Sequence, residues 1–517
     1  MREKYDKLCR FLSINKMAVF MGIIFLVSLL PVCYLSFVNR ASGDDLGYGT
    51  YTRIAWMSTH SLLAVAKAIG RTIRQFYYGW QGTWFSIFLF TLQPEVFSDR
   101  AYVIVAFIMI FLWTGSTILL FREVLVRKCG FDKGSFWLVT VLFLLISIQY
   151  IPSTKSSIFW FNGCAHYLIP FAMCQLLFYF LLRYGDSFKT KYFIAILIIM
   201  TLLGGANYQA ALFALVISIY SGIAVWITRR NKKVFLLIVP IVTEMIGLII
   251  SMKAPGNKVR GGEDFGFSVG RAINTILVSF RQGATDIGSY AANKLLVIAG
   301  LVLLFLILLE GAVKRKSGTE QKESNIDRKK KKWFAAGIIA GAWCLYCAMQ
   351  APTVYAGVEF SSGVYNMNYQ CFLLMSVAVL FVLAEFLADY LVYSRNLSSG
   401  FIHRTLVIPG FMVCLFIGVL CRGNIKDSTS WKCMEYITSG QAADYKWQMD
   451  LQTCLLETDE KDVVLPFIND DQGPLMQMPV TDDPESYTSS TTARFYQKNS
   501  VIAMPRTEWE ERYGKEQ

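Results

Sequence analysis

The sequence predicts an all-α integral membrane bundle of about eleven transmembrane helices, followed by a small C-terminal domain. Hydrophobic residues make up 54% of the 517-residue chain and charged residues only 17%, whereas soluble domains average about 25% charged residues. Apolar runs long enough to cross a bilayer recur along almost the whole chain. Lysine and arginine concentrate in alternate connecting loops. Lipid is therefore the predicted solvent for most of this chain.

Hydropathy, together with the polar residues that interrupt it, locates the helices. They are predicted at residues 17–37, 101–121, 136–151, 158–182, 192–206, 209–228, 234–252, 295–309, 333–351, 371–393 and 405–421. The first apolar core is about twenty residues long and lacks a small-x-small cleavage pattern. It is therefore predicted to be a retained transmembrane helix and not a signal peptide.

The distribution of lysine and arginine predicts the orientation of the bundle in the cell membrane. With the N-terminus inside, 27 of the 50 Lys and Arg residues fall in short inner segments, 13 in longer outer loops and 10 in the C-terminal region. Basic loops stay on the cytoplasmic side. The sequence thus predicts a multi-pass protein with a cytoplasmic N-terminus, and an odd number of spans places the C-terminus outside.

Two function classes are disfavoured by the motifs. The basic run at residues 328–332 directly precedes a predicted span, so it indicates a cytoplasmic stop in contact with anionic membrane lipids and not nucleic-acid binding. The chain contains neither GxxxxGK[ST] nor a GxGxxG after a strand. These absences argue against an ATP-driven pump and against a Rossmann-type enzyme that uses a cytoplasmic nucleotide sugar.

The composition divides the chain into a membrane domain, residues 1–421, and a C-terminal domain, residues 422–517. The second part has 17 acidic residues against 10 Lys and Arg, and its apolar patches, such as residues 463–467, are short. These features predict a small mixed α/β or irregular domain on the extracytoplasmic side.

The predicted first outer loop, residues 38–100, opens with two adjacent carboxylates, Asp44 and Asp45. Its remainder has the pattern of interfacial helices, with an aromatic cluster around Trp80 and a stretch, residues 84–97, that is too short to span. Adjacent acids just after a helix can form a solvated turn or an N-cap. They can also act as a general base or as metal ligands, and their spacing does not separate these roles.

The predicted outer loop 253–294 gathers positive charge against the general trend. Lys253, Lys258 and Arg260 lie close together around Asn257. Clustered cations on the outer side suggest an anion such as a lipid phosphate. The alternative is that these side chains extend to the lipid headgroups without binding a particular ligand.

Aromatic and amide groups recur at the predicted outer ends of further helices. They are Asn162, His166 and Tyr167, then Tyr208 and Gln209, and finally the segment 351–359. Polar groups at membrane depth usually face a cavity, and aromatic and amide side chains together suit sugar binding. Each group alone is typical of side-chain packing. All of them are predicted at the outer face of the membrane bundle, however, and this shared location favours a substrate site.

These residues together resemble the GT-C superfamily of membrane glycosyltransferases, in particular a bacterial group of multi-spanning proteins within it. The matching pieces are Asp44-Asp45, Gly70-Arg71 with Trp80 and Trp84, Trp160-x-x-Gly163-x-x-x-Tyr167-Leu168-x-Pro170, and Ala254-Pro255-Gly256-Asn257-x-x-Arg260. The resemblance covers residues 1–421 in topology, and its most specific feature is the last element combined with the acid pair. The chain departs from the pattern at Asn207-Tyr208-Gln209, where related chains often carry an acid.

The resemblance implies a GT-C-like fold and the transfer of a sugar from a polyprenyl-phosphate-linked donor to an extracytoplasmic acceptor, a cell-envelope glycan or polymer. The role of base or metal ligand would fall on Asp44 or Asp45. The lipid phosphate would be held by Arg260, Lys253 and Arg71. The candidate substrate contacts are Asn257, Trp80, Asn162, His166, Tyr167, Tyr208 and Gln209. The resemblance allows one cofactor, a divalent metal ion. Whether the reaction needs this ion stays open.

Two other classes of function stay open at this point. A flippase or transporter of lipid-linked sugars would need ionisable residues inside the spans and a repeat between the two halves. Only Glu244 is found well inside a predicted helix, and no repeat is evident in the sequence. A non-catalytic scaffold in envelope assembly would use the loops for protein contacts and would tolerate the loss of both aspartates.

Overall fold

The structure, a computed structural model, describes residues 2–261, 266, 268–317, 325–468, 473–475 and 478–514. Within its helices, the side chains of residues 2, 6, 10 and 325–330 lie outside this description. Four sequence predictions therefore lie partly outside the described residues. The parts concerned are residues 1 and 318–324 of the membrane domain, residues 262–265 and 267 of the predicted second outer loop, the side chains of residues 328–330 of the basic run, and residues 469–472, 476–477 and 515–517 of the C-terminal domain.

Helices dominate the described chain. The N-terminal part contains α1 (Arg2–Phe11), α2 (Ile14–Ser36), α3 (Asp44–Thr59), α4 (Leu62–Gly79) and α5 (Trp84–Phe90), then the 3-10 turns Pro94–Val96 and Ala101–Ile104. The central part contains α6 (Val105–Phe121), the π-helical Arg122–Lys128, α7 (Lys133–Gln149), the π-helical Lys155–Phe159, α8 (Phe161–His166), α9 (Leu168–Ser187), α10 (Thr190–Leu203), α11 (Tyr208–Arg229), the 3-10 turn Lys232–Leu237, α12 (Ile238–Met252), α13 (Gly256–Gly261), α14 (Val269–Asn293), α15 (Leu295–Ser317), α16 (Asn325–Ala348), α17 (Ala351–Ala356), α18 (Ser362–Asp389), the π-helical Tyr390–Ser394, α19 (Ser399–Ile402), the π-helical His403–Val407 and α20 (Ile408–Leu420). The C-terminal part contains α21 (Arg422–Ile425), α22 (Thr429–Thr438), α23 (Gln441–Leu456), β1 (Asp462–Pro466), α24 (Tyr487–Phe495), β2 (Ser500–Met504) and α25 (Arg506–Tyr513).

Nine helical segments among the described residues are long and apolar enough to cross a membrane. They are Ile14–Ser36, Ala101–Lys128, Phe161–Ser187, Tyr208–Arg229, Lys232–Met252, Leu295–Ser317, Lys331–Ala356, Ser362–Ser394 and Ser399–Leu420. The two other predicted spans coincide with the shorter apolar helices α7 and α10, of 17 and 14 residues. The protein is thus an all-α multi-pass membrane bundle, and the count of eleven spans stays a prediction.

The first span, α2, shows how a helix that is apolar all round is oriented in such a bundle. Met21, Phe25 and Leu29 recur every four residues and are buried, because residues at this spacing share one helix face. Val19 and Ile23, on another face, are exposed. In a membrane the exposed face meets lipid, so both faces can be apolar.

The first loop, residues 38–100, folds back onto one end of the helical bundle. α3 and α4 pack against each other, and α5 turns inward so that the backbone N–H of Phe85 donates to the carbonyl of Gly205 at 2.8 Å. The indole of Trp84 fills the space beside Gly205, where an added Cβ would lie 2.1 Å from the ring. We call the end of the bundle that carries α3, α5 and α13 the loop end.

The C-terminal region is a small mixed α/β unit at this same loop end. β1 and β2 form a two-stranded parallel sheet that pairs Asp462 with Ser500 and Pro466 with Met504. α24 packs on α3. The Thr429 hydroxyl, at the start of α22, lies 3.0 Å from that of Thr154. The region therefore contacts both the first loop and the bundle.

Candidate functional site

Asp45 is fully buried at the start of α3, and hydrogen-bond donors surround its carboxylate. Its Oδ1 accepts from the backbone N–H of Asn162 at 3.0 Å. Its Oδ2 accepts from the Tyr102 hydroxyl and, at 3.5 Å, from the backbone N–H of Ser42. Burial raises the pKa of Asp45 to about 8, against the lowering effect of these bonds. A carboxyl group so enclosed joins α3 to the bundle and is poorly placed to act as a base.

Asp44, the first residue of α3, has different surroundings and is only partly buried. Its carboxylate accepts a hydrogen bond from the Tyr487 hydroxyl and interacts electrostatically with Arg260. Burial raises the pKa of Asp44 above its usual range, whereas Tyr487 and Arg260 act in the opposite direction. An accessible carboxylate with a raised pKa can accept a proton from a hydroxyl group. Asp44 is therefore the member of the pair that suits a general base.

Tyr487 reaches Asp44 because two glycines let the C-terminal region approach α3 closely. An added Cβ at Gly47 would lie 2.6 Å from the Tyr487 hydroxyl oxygen. Gly43 has a φ of +53°, which favours glycine, and its added Cβ would lie 2.5 Å from the Cβ of Met478. The C-terminal region therefore forms one wall of the site around the acid pair.

Arg260, on α13, is exposed but is held towards α3 by polar contacts. Its Nη1 donates to Oε1 of Gln81 at 2.7 Å, and its guanidinium lies 5.5 Å from the ring centroid of Trp80. The Nε2 of Gln81 donates to the Tyr48 hydroxyl at 3.4 Å, and Tyr48 lies one turn after Asp44. This arrangement keeps a cation within electrostatic reach of Asp44 and accessible to a phosphate group.

Asn257 fixes the loop that carries Arg260. Its Oδ1 accepts from the backbone N–H of Gly82 at 3.0 Å, and its Nδ2 donates to the carbonyls of Ser251 at 2.7 Å and Met252 at 3.1 Å. Gly82 allows this approach, since an added Cβ would lie 1.8 Å from the Ser251 oxygen. The sequence predicts a substrate contact for Asn257, whereas the structure engages its side chain in positioning the loop.

Three aromatic residues from the bundle lie on the same side as Arg260 and feel its charge. His166, Tyr167 and Tyr208 all lie within electrostatic reach of its guanidinium. The His166 and Tyr167 rings are 4.6 Å apart. Nδ1 of His166 and both side-chain polar atoms of Asn162 are buried and have no hydrogen-bond partner among the described residues. Buried polar atoms normally find a partner, so these three atoms are free to bind a ligand group only after the side chains that cover them move apart.

Other predicted site residues do not join this group. Arg71 lies over Tyr51, 4.0 Å from its ring centroid. The Nε2 of Gln209 donates inside the bundle to the Met349 carbonyl at 2.7 Å and to Oδ1 of Asn368 at 2.9 Å. Lys253 is exposed at the C-terminal end of α12, in the segment that leads to Arg260. The structure therefore brings Asp44, Arg260 and the aromatic residues together and places Arg71 and Gln209 elsewhere.

The resemblance to GT-C enzymes allows a divalent metal ion at the acid pair, but the residues there do not fit one. The two Asp45 oxygens are engaged by Tyr102, Asn162 and Ser42. In the part of the chain that the structure describes, no group of three or more His, Cys, Asp or Glu side chains is placed to hold a metal ion. Hard cations need several oxygen ligands at one point, and these residues do not supply them.

Sequence reasoning missed several residues that build the site. Tyr102 and Tyr487 bind the two aspartates from distant parts of the chain, and no local pattern marks either of them. Gln81, between Trp80 and Gly82, lies inside the aromatic cluster and could have been found there. Glu95 is buried, accepts from the backbone N–H of Ala41 at 3.3 Å and has its pKa raised by burial to about 7.

In comparisons with known proteins, no family model matches this chain and no curated protein sequence is significantly similar to it.

Proposed function

We propose that this protein transfers a sugar from a polyprenyl-phosphate-linked donor to an acceptor outside the cytoplasm, as GT-C enzymes do. The observation that carries the proposal is an exposed cation, Arg260, within electrostatic reach of a partly buried carboxylate, Asp44, at one end of an apolar membrane bundle. Such a transfer needs a base for the acceptor hydroxyl and a cation for the departing phosphate. The lipid chain of the donor must also reach the site from the bilayer.

In the proposed reaction, the acceptor hydroxyl oxygen attacks the anomeric carbon of the donor sugar and its proton passes to Asp44. The bond between the anomeric carbon and the phosphate oxygen breaks, and its electron pair leaves with the phosphate. Arg260 stabilises the negative charge that develops there. Asp45 holds the start of α3 in place and exchanges no proton with the substrates.

The sugar is proposed to lie between Trp80 and the wall formed by Asn162 and His166. Trp80 offers a partly exposed ring beside Arg260, and aromatic faces bind apolar sugar faces well. The buried, unpartnered polar atoms of Asn162 and His166 supply hydrogen-bonding groups on the other side once the side chains that cover them move apart. The loop end is proposed to face outwards, which agrees with the predicted excess of Lys and Arg at the opposite end.

The proposal is tested by transfer of radiolabel from a panel of polyprenyl-phosphate sugars in membranes that contain the wild type or the Asp44→Asn variant. Label that reaches an acceptor only with the wild type would support the proposed reaction and its site. Equal transfer by both proteins would remove Asp44 from the mechanism.

A second candidate function, movement of lipid-linked sugars between leaflets, is favoured by one observation. Glu244 is buried in α12, and neither carboxyl oxygen has a hydrogen-bond partner among the described residues. Ionisable groups inside spans often mark transport pathways. Leaflet exchange of a fluorescent lipid-linked sugar that is lost with Glu244→Gln and kept with Asp44→Asn would favour this function over transfer.

Arg260→Gln is expected to lower kcat/KM for the lipid-linked donor by about 10- to 100-fold, because it removes a charged hydrogen-bond donor from the phosphate. Arg71→Gln is the matched control, since Arg71 lies over Tyr51, about two helical turns beyond Asp44 on α3. Both values are measured with saturating acceptor and varied donor. An equal loss in the two variants would contradict the assignment of the phosphate to Arg260.

Tyr487→Phe is expected to move the acidic limb of the pH–rate profile to higher pH. The Tyr487 hydroxyl stabilises the Asp44 carboxylate, so its loss raises the pKa of Asp44 further. The base must be deprotonated to act, and activity on the acidic side therefore falls while the plateau at higher pH is retained. Tyr513→Phe is the control, because Tyr513 is exposed on α25. An unchanged profile in Tyr487→Phe would show that this hydroxyl does not act on the base.

A further inference from the structure

A groove of about 470 Å³ lies between three membrane helices, α2, α6 and α7. Its walls are mostly apolar and include Phe25, Ile118 and Leu144. Gly22 opens one side of the groove, because nothing lies within 4 Å of the position that a Cβ would take there. The groove is therefore shaped by the absence of a side chain on α2.

The groove is polar at one end only. Asn15, at the start of α2, and Lys133, at the start of α7, both line that end. The two helix starts touch, since an added Cβ at Gly134 would lie 2.0 Å from Oδ1 of Asn15. An amide and an ammonium group thus stand together where the two helices begin.

The positive charge of Lys133 is not neutralised by any residue that the structure describes. Lys133 is exposed and has no ion-pair partner within the residues described. Its neighbour Asp132 caps α7 by accepting from the backbone N–H groups of Gly134 and Ser135, and it also pairs with Lys314 at 3.2 Å. The acid next to Lys133 is therefore already engaged.

The groove has the length of one lipid leaflet. From Asn15 to Leu26, both of which line it, α2 rises by about 16 Å. Half of a bilayer hydrocarbon core is about 15 Å thick. An acyl chain that enters beside Lys133 would therefore reach the middle of the membrane within the groove.

The polar end lies at the opposite end of the bundle from the site around Asp44. α2 begins next to Asn15 and ends at Ser36, a few residues before Asp44. A lipid whose phosphate binds Arg260 cannot place that same phosphate at Lys133. The occupant of the groove is therefore a separate lipid from the other leaflet.

We propose that this groove binds an anionic glycerophospholipid, with one acyl chain along α2 beside Gly22 and the headgroup phosphate at Lys133 and Asn15. The chain contributes apolar burial and the lysine selects the negative headgroup. Each basic residue near a membrane surface contributes about 1 kcal/mol to binding of anionic lipids, which is roughly a fivefold preference.

The test uses the full chain, delipidated in detergent and then exposed to equal amounts of phosphatidylglycerol and phosphatidylcholine with identical acyl chains. Bound lipid is counted by native mass spectrometry. The wild type is expected to retain phosphatidylglycerol about fivefold over phosphatidylcholine. Lys133→Gln should bring this ratio close to one, and Gly22→Trp should remove both lipids by filling the groove.

Two matched variants serve as controls. Lys189→Gln removes an exposed lysine that precedes α10, and Gly418→Trp adds an indole at an open position on α20. Both should retain lipid as the wild type does. Equal retention of the two lipids by the wild type, or an unchanged preference in Lys133→Gln, would overturn the proposal. Undiminished lipid binding by a folded Gly22→Trp protein would overturn it as well.

Discussion

Replacing Asp44 with asparagine is expected to reduce sugar transfer at neutral pH by about a hundredfold to ten-thousandfold, the usual contribution of a general base. Asparagine keeps the size of the side chain and an oxygen that can accept from Tyr487, but it cannot take a proton from the acceptor. The KM for the lipid-linked donor should change little, because Arg260 remains in place.

The measurement is initial-rate transfer by purified protein, with the melting temperature recorded for each variant. Asp99→Asn is the control, since Asp99 is a carboxylate of the same loop that pairs with Arg53 at 2.7 Å and lies outside the acid pair. Wild-type rates in Asp44→Asn would contradict the assignment of the base. A loss of equal size in Asp99→Asn would indicate that the loop, and not the proton acceptor, had been damaged.

Replacing Asp45 with alanine is expected to destabilise the folded protein by about 2–5 kcal/mol. The change leaves the Tyr102 hydroxyl and the backbone N–H groups of Asn162 and Ser42 without their acceptor in a buried environment. Desolvated donors without a partner carry the full cost of the lost water contacts. The effect should appear as a lower melting temperature and a poorer yield of monodisperse protein.

Asp44→Ala is the matched control for this second effect. Asp44 is partly exposed and accepts a hydrogen bond from Tyr487 of the C-terminal region, so its removal should change the free energy of unfolding by less than about 1 kcal/mol. We therefore expect the loss of Asp44 to affect activity and the loss of Asp45 to affect stability. A stable Asp45→Ala protein together with an unstable Asp44→Ala protein would contradict this assignment of roles to the two aspartates.

The membrane character of the chain could be predicted from the sequence because it rests on length and composition alone. Every predicted span coincides with an apolar helix, and the main difference is length. α10 has only 14 residues because Gly204 and Gly205 end it at the mouth of the bundle, where α5 packs. A hydropathy window detects the apolar run but not the loop that closes over its end.

The site could be predicted only in part, because hydrogen-bond partners depend on distant chain segments. The sequence singles out Asp44 and Asp45 together, but their different surroundings come from Tyr487 in the C-terminal region and Tyr102 in the second span. Charge on a predicted outer loop singles out Arg260, and Arg260 lies within electrostatic reach of Asp44. Arg71 carries the same charge, yet it lies over Tyr51, and charge alone does not reveal on which face of α4 a side chain lies.

The most direct test of the proposed function is an assay in proteoliposomes that contain the purified protein, a radiolabelled polyprenyl-phosphate sugar and a cell-envelope glycan acceptor. The account predicts that label moves from lipid to acceptor with the wild type, that transfer is lost with Asp44→Asn, and that the released lipid is a polyprenyl phosphate. Label that stays on the lipid and only changes leaflet would contradict the transferase and favour a transporter. Label that neither transfers nor changes leaflet, across the full panel of donor sugars, would contradict both and leave a scaffold.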